Sequence, residues 1–227
     1  MIHLYSALGN IIVLFPALPP LKKHTAIIKA LLSKAYFDQI IYYERTNKQC
    51  NTIIQNRDGS YAQQCGNGLR ALAHHLRQPR LDIVINNNAY LALQEDGCYW
   101  VDMGAPSFVK QLNDLFEVSL GNNHIISLSP TREDLIKQWS QTHNISFVQQ
   151  VTQNTFKIKT YERGCGWTAC CASASTAASI ALYKLSPQHI WHALHDEGTL
   201  NIHKQNRQWL QTGPVEHQKI ICRTEDI

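Results

Sequence analysis

Hydrophobic and polar positions change period several times along the 227-residue chain, and these changes mark its elements. Met1 to Tyr5 alternates weakly, Leu8-Gly9-Asn10 interrupts it, and Ile11-Ile12-Val13-Leu14-Phe15 resumes as an apolar run. That pattern predicts two strands about a turn, with Asn10 at the junction. Between His24 and Phe37, Ile27, Ile28, Leu31 and Leu32 recur at helical spacing, and Asp38-Gln39 then leads into the strand-like Ile40-Ile41-Tyr42-Tyr43. Leu81 to Ile85, Tyr90 to Leu93 and Cys98 to Val101, separated by Asn86-Asn87-Asn88 and Asp96-Gly97, predict an antiparallel meander. A second unit follows. Phe116 to Leu120, His124 to Leu128, Ile145 to Gln150 and Thr155 to Tyr161 read as strands, and Pro130 to Thr142 as a helix opened by Ser129-Pro130.

Each half also holds a small-residue loop with a cysteine just before an amphipathic helix. The first runs from Asp58-Gly59-Ser60 to Gln64-Cys65-Gly66-Asn67-Gly68, followed by Leu69, Leu72, Ala73 and Leu76 at helical spacing. The second runs from Glu162-Arg163-Gly164 to Cys170-Cys171-Ala172-Ser173, followed by Ala174, Ala177, Ala178, Ala181 and Leu182. This reads as a pseudo-duplication whose halves would face each other across a cleft. A helix N-terminus exposes unsatisfied N–H groups and a partial positive charge, so it lowers a thiol pKa and binds a carboxylate. Two thiols on opposite sides of one carbon would supply the base and the acid that invert a stereocentre. On spacing alone either Cys170 or Cys171 serves as the second thiol.

Composition narrows the setting. With 44% hydrophobic and 17% charged residues the chain is globular, and no run reaches the roughly 18 apolar residues of a membrane span. A net charge of +4 without blocks of like charge argues against a nucleic-acid or membrane partner. Seven cysteines are too few for a disulfide scaffold and odd in number, and no leader-like segment opens the sequence, so a reducing cytoplasm is expected. His189, His192 and His195 lack an accompanying ligand motif, and no cofactor signature is visible, so neither a metal nor a cofactor is expected.

Taken together, Asp58-Gly59-Ser60, Gln64 to Arg70, and Glu162-Arg163-Gly164 with a cysteine nine positions after the Glu resemble the diaminopimelate epimerase family. Ala7 to Asn10, Asp38-Gln39, Val101 to Gly104, Leu120 to Asn122, Asn144 to Gln149 and Thr212 to Val215 extend the resemblance over most of the chain. It implies an α/β fold of two pseudo-symmetric domains, each a mainly antiparallel sheet around a central helix. The expected domains are residues 1–105 with about 213–227, carrying Cys65, and residues 106–212, carrying Cys171. The resemblance implies catalytic Cys65 and Cys171, the spacing from Glu162 selecting Cys171 over Cys170. It implies a substrate carboxylate on the backbone of Gly66, Asn67, Ala172 and Ser173, and a substrate read by Asn10, Gln39, Asn56, Asn122, Asn144, Glu162 and Arg163. The implied reaction is cofactor-independent epimerisation of LL-diaminopimelate to the meso form, in lysine and peptidoglycan synthesis. A related amino-acid racemase, or a non-catalytic binding protein of the same fold, is the alternative. The partner is a small amino-acid substrate, a homodimer is compatible with the resemblance, and His124 matches a family histidine near the active site. The sequence departs from the family pattern at Trp167 (Glu in the family), Asn123 (Pro), and Ala172 and Ala174 (Gly), and it is shorter between Gly104 and Leu120.

Overall fold

The computed structural model describes residues 1–47 and 49–227, which form two compact units, Met1–Val101 with Val215–Ile227, and Asp102–Pro214. The chain begins with strands β1 (Ile2–Ala7) and β2 (Asn10–Phe15), helix α1 (Leu21–Leu32), strands β3 (Gln39–Arg45) and β4 (Cys50–Asn56), and helix α2 (Gly66–Leu76). Strands β5 (Arg80–Ile85), β6 (Asn88–Glu95) and β7 (Cys98–Asp102) follow. The second unit contains β8 (Phe108–Leu112), β9 (Leu115–Leu120), β10 (Asn122–Ser127), α3 (Glu133–Trp139), β11 (Asn144–Gln150), β12 (Thr155–Glu162) and β13 (Gly166–Thr168). Helix α4 (Ala172–Leu185), β14 (Ile190–His195), β15 (Gly198–Gln205) and β16 (Gln208–Thr212) complete it, and β17 (Glu216–Cys222) returns to the first unit beside β1.

The two units repeat one topology. In the first, neighbours run β17-β1-β2-β3-β4-β5-β6-β7, with β2–β3 and β4–β5 parallel and the other pairs antiparallel. In the second they run β8-β9-β10-β11-β12-β14-β15-β16, with β10–β11 and β12–β14 parallel and the rest antiparallel. The second unit adds β13, a short strand paired to the end of β12.

Each sheet encloses one helix, α2 against β1, β2, β3 and β6, and α4 against β9, β10, β11, β15 and β16. Leu69 and Leu72 of α2 are fully buried, and each such side chain contributes about 1.5–3 kcal/mol. Helix α4 is buried from Ala172 to Leu182, a stretch with only two residues larger than threonine, so the strands approach it closely. Its Ser175, Thr176 and Ser179 hydroxyls donate to the carbonyls of Cys171, Ala172 and Ser175 one turn back, which gives each buried hydroxyl a partner within the helix. A second layer lies outside the first sheet, where Ile27, Ile28 and Leu31 of α1 join Ile2, Leu4, Val13, Phe15, Phe37, Ile40 and Tyr42.

Two helix boundaries differ from the sequence expectation. Helix α1 starts after Pro20 and ends at Leu32, because the N–H groups of Lys34 and Ala35 both turn back to the Leu31 carbonyl. Helix α3 does not begin at Ser129-Pro130. Its cap is Arg132, whose guanidinium binds Asp134 at 2.7 Å and Asp114 at 3.3 Å, and the acidic Glu133 and Asp134 occupy the first turn, where the helix dipole favours them. No helix among the described residues is long and apolar enough to cross a membrane.

Candidate active site

Helix α2 opens at Cys65, whose extended backbone (φ −147°, ψ 99°) makes it the N-cap. Its sulfur accepts the Gly68 N–H at 3.2 Å, and its thiol donates to Gln39 Oε1 at 2.6 Å. Gln39 and Asn56 are register partners on β3 and β4, and the Gln39 amide donates to Asn56 Oδ1 at 3.0 Å. The Asn56 amide donates in turn to Ser60 Oγ at 2.9 Å, and the Ser60 hydroxyl to Asp58 Oδ1 at 2.6 Å. A tight turn holds this end: Asp58 Oδ1 also takes the Ser60 N–H, and Gly59 adopts φ +92°, which glycine tolerates freely. Asn10, at the head of β2, has a buried Oδ1 with no hydrogen-bond partner. The side chain of Asn67 is committed inward, its Oδ1 accepting from Arg70 Nη2 at 2.8 Å. Gly68 makes room for its neighbour, since a Cβ there would stand 2.6 Å from Ile41 Cδ1 and would have to displace that buried side chain.

In the second unit Cys171 is likewise the N-cap of α4, with an extended backbone (φ −110°, ψ 106°) but no side-chain cap bond of the Cys65 kind, and its sulfur lies 3.5 Å from Ser173 Oγ. Burial first, and then the Glu162 carboxylate, hold this thiol well above its ordinary range, and the Ser173 hydroxyl and Ala174 N–H oppose them. Glu162 accepts the Thr168 hydroxyl at 2.5 Å, and Asn144 Oδ1 accepts the Arg163 N–H at 2.9 Å. The Arg163 side chain is exposed, and Asn122 stands half-buried at the head of β10.

Within each unit the candidate residues therefore gather at one end of the sheet, and the register makes the two sets equivalent. Ile12, two residues after Asn10, pairs with Gln39; His124, two after Asn122, pairs with Asn144. Gln39 pairs with Asn56, and the Ile145–Tyr161 register sets Asn144 beside Glu162. Asn56 and Glu162 each precede their cysteine by nine residues. Asn10, Gln39, Asn56 and Cys65 thus occupy the places of Asn122, Asn144, Glu162 and Cys171.

Asp58, Ser60 and Thr168 are partners that the candidate set omitted, although the Asp-Gly-Ser turn was visible in the sequence. Trp167 is the side chain that parts from the group. It pairs with Tyr161 and packs edge-on against that ring at 5.5 Å and near Phe147 at 6.1 Å, on the face of the β12–β13 ladder opposite Glu162 and Thr168. His189, His192 and His195 each turn to a different partner, the Lys204 carbonyl, Asn201 and Ser175. Among the described residues no group of three or more His, Cys, Asp and Glu side chains is arranged to hold a metal.

A cysteine at the start of an enclosed helix in each of two equivalent units sets the chain among the isomerases of this fold. Hydroxyproline epimerase from Agrobacterium vitis shares it with a TM-score of 0.68 and 12% identity, covering 96% of this chain and 90% of that one. A phenazine biosynthesis protein of the PhzF family from Enterococcus faecalis shares it with a TM-score of 0.72 and 11% identity over 95% of both chains. In sequence, the diaminopimelate epimerase of Blochmanniella floridana is 30% identical over 66% of this chain and 71% of its own length. That of Bartonella quintana is 28% identical over 86% of each. The chain belongs to the diaminopimelate epimerase family and is an isomerase of the class that works without pyridoxal phosphate. No family model matches the chain.

Proposed function

We propose that this protein converts LL-diaminopimelate to meso-diaminopimelate by proton exchange between its α-carbon and two cysteines, Cys65 and Cys171. One cysteine, as thiolate, removes the α-proton; the other, as thiol, returns a proton to the opposite face. The thiolate and thiol exchange roles, so atoms and charge balance over the step and no cofactor takes part. The substrate carboxylate, which gains charge as the proton leaves, is held by the N–H groups of Gly66 and Asn67 and of Ala172 and Ser173, where helix N-termini favour an anion. Asn10, Gln39, Asn56, Asn122, Asn144, Glu162 and Arg163 recognise the ammonium groups and the distal carboxylate, and Arg163 suits the latter through its forked donors.

Cys171 gives this scheme its trigger. Its thiol is held protonated in part by the charge on Glu162, second to burial, so a substrate ammonium arriving at that carboxylate offsets that cause. Substrate binding there would therefore ease the loss of the Cys171 proton, while burial continues to oppose it.

The observation that carries the proposal is the equivalence of Cys65 and Cys171, each at a helix start and each nine residues after a polar side chain that ends a strand. The function would place the protein in cytoplasmic lysine biosynthesis. A racemase acting on a different amino acid is the second reading, favoured by the methyl groups of Ala172 and Ala174 in the first turn of α4, both buried. Reduced protein incubated with LL-diaminopimelate in deuterium oxide should incorporate α-deuterium and yield the meso isomer, and Cys65→Ala and Cys171→Ala should each abolish both. Near-normal turnover by either variant would sink the two-cysteine scheme; exchange with another amino acid alone would establish the second reading.

A further inference from the structure

We propose that Asp58 is a positioning residue that fixes the protonation of Cys65 through a one-way chain of hydrogen bonds running along Ser60, Asn56 and Gln39. The inference rests on the reading of Cys65 as an acid and base, and deepens it.

Each link orients the next, from the exposed Asp58 and Ser60 inward to the buried Cys65. A carboxylate can only accept, so the Ser60 hydroxyl spends its single hydrogen on Asp58 at 2.6 Å. Toward Asn56, Ser60 Oγ is then an acceptor, and the side chain it meets at 2.9 Å must present its NH2 group. That leaves Asn56 Oδ1 facing Gln39, which answers with its own NH2 at 3.0 Å. Gln39 Oε1 is therefore the atom left facing Cys65, 2.6 Å from the sulfur, and only a thiol can meet it there. A thiolate would set two electron-rich atoms against each other inside contact distance.

Ionising Cys65 thus requires the Gln39 amide to turn over, then Asn56, and then the Ser60 hydroxyl to leave Asp58. The bonds polarise one another along such a chain, so the charge at its far end bears on the thiol. The Gly68 N–H on the same sulfur favours the thiolate, and the chain opposes it. Cys65 accordingly enters the reaction cycle carrying its proton. In the second unit the place of Asn56 is taken by a carboxylate, Glu162, which can only accept.

Asp58→Asn supplies an end that can turn its NH2 to Ser60 Oγ, giving up the bond from the Ser60 N–H that Oδ1 now takes, so the whole chain can reverse and Gln39 can offer its NH2 to a thiolate. Ser60→Ala cuts the chain, and Asp58→Glu keeps an acceptor-only end. The test follows alkylation of the Cys65-containing peptide by iodoacetamide against pH, quantified by mass spectrometry, with the Cys171 peptide in the same sample as control. For Asp58→Asn and Ser60→Ala the Cys65 midpoint should fall by about one pH unit, a roughly tenfold gain in thiolate at neutral pH, while Asp58→Glu stays near wild type and the Cys171 midpoint does not move. Midpoints within about 0.2 unit of wild type in both variants, with native circular dichroism, would overturn the proposal. If one variant fails to fold, the other carries the test. Alkylation needs no turnover, so a wild-type protein that fails to exchange α-deuterium would refute the proposed function and leave this result readable.

Discussion

Replacing His124 with isoleucine should make the protein more stable. The side chain is fully buried on β10, and neither ring nitrogen has a hydrogen-bond partner. Each unpaired buried polar group costs about 1–3 kcal/mol, and isoleucine removes both. The first unit shows that the site accepts it, since the equivalent place on β2 holds the fully buried Ile12. Allowing for imperfect fit, the gain should be about 2 kcal/mol at neutral pH.

The same variant tests the electrostatics. Burial, aided by His143, lowers the His124 pKa to about 3 from 6.5. Between those values the unfolded chain binds a proton that the folded protein refuses. The histidine's contribution is therefore intact above pH 6.5 and is lost as pH falls, by about 1.4 kcal/mol per unit. His75, lowered to about 4, loses stability in the same direction, but equally in both proteins. The advantage of the variant should thus grow by about 2 kcal/mol between about pH 7 and pH 5. Urea unfolding followed by tryptophan fluorescence reports mainly on the second unit, which holds Trp139, Trp167, Trp191 and Trp209, with Trp100 in the first. A lower midpoint for the variant at neutral pH, or a gap that does not change with pH, would refute the reasoning. A variant that gains stability and loses turnover would show that the imidazole is kept for chemistry.

Three further outcomes follow from the geometry. Gly68→Ala should cost about 1–3 kcal/mol in a thermal melt, because its Cβ would stand 2.6 Å and 3.1 Å from two atoms of the fully buried Ile41, and 3.4 Å from the Cys65 sulfur; unchanged stability would contradict this. Trp167→Ala should alter kcat/KM less than about threefold, since the indole packs on Tyr161 and Phe147 away from Glu162; a large loss would place that ring in the substrate path. The value of kcat/KM should keep climbing with pH through the ordinary thiol range, because Cys171 in the free enzyme is held above it and the base must be a thiolate; a profile flat from about pH 7 to 9 would exclude Cys171 as the base.

Much of this fold was legible from period alone. Strands of the first unit with continuous apolar runs, such as Ile11 to Phe15 and Ile40 to Tyr43, and both cysteine-led helices stand where the pattern places them. The missed strands are those whose polar face dilutes the signal. In β4, Cys-Asn-Thr-Ile-Ile-Gln-Asn, Thr52 and Gln55 are buried on opposite faces, at positions that a hydrophobic pattern expects to be apolar. In β15, only Leu200 and Ile202 turn inward among eight residues. The misplaced start of α3 has a different cause, an attractive Ser-Pro pair outweighed by an arginine fork and an acidic turn that only tertiary contacts assemble. Cys65 and the Cys170-Cys171 pair stood out because small residues around a thiol at a helix start are unusual, and the family resemblance alone selected Cys171. The chain from Asp58 to Cys65 was not, since side chains up to 26 residues apart join only through the register of β3 with β4.

That register also bears on why a duplicated scaffold need not behave symmetrically. A two-cysteine exchange requires one thiolate and one thiol at any moment, and two identical environments would favour the same state at both. Asn10 and Asn122 are identical and Gln39 and Asn144 chemically alike, but Asn56 is answered by Glu162, and Ile12 by His124. Both changes convert a neutral side chain into a titratable one, and both fall in the second unit. The first unit keeps its carboxylate at the far end of a chain of neutral groups, where it acts by orientation. The second presents its carboxylate close enough to Cys171 to act through charge, which falls off with distance but answers at once to an arriving cation. On the two-cysteine reading, Cys171 responds to the charge of the substrate and Cys65 to the turning of an amide, so the two thiols lose their protons for different reasons and need not lose them together.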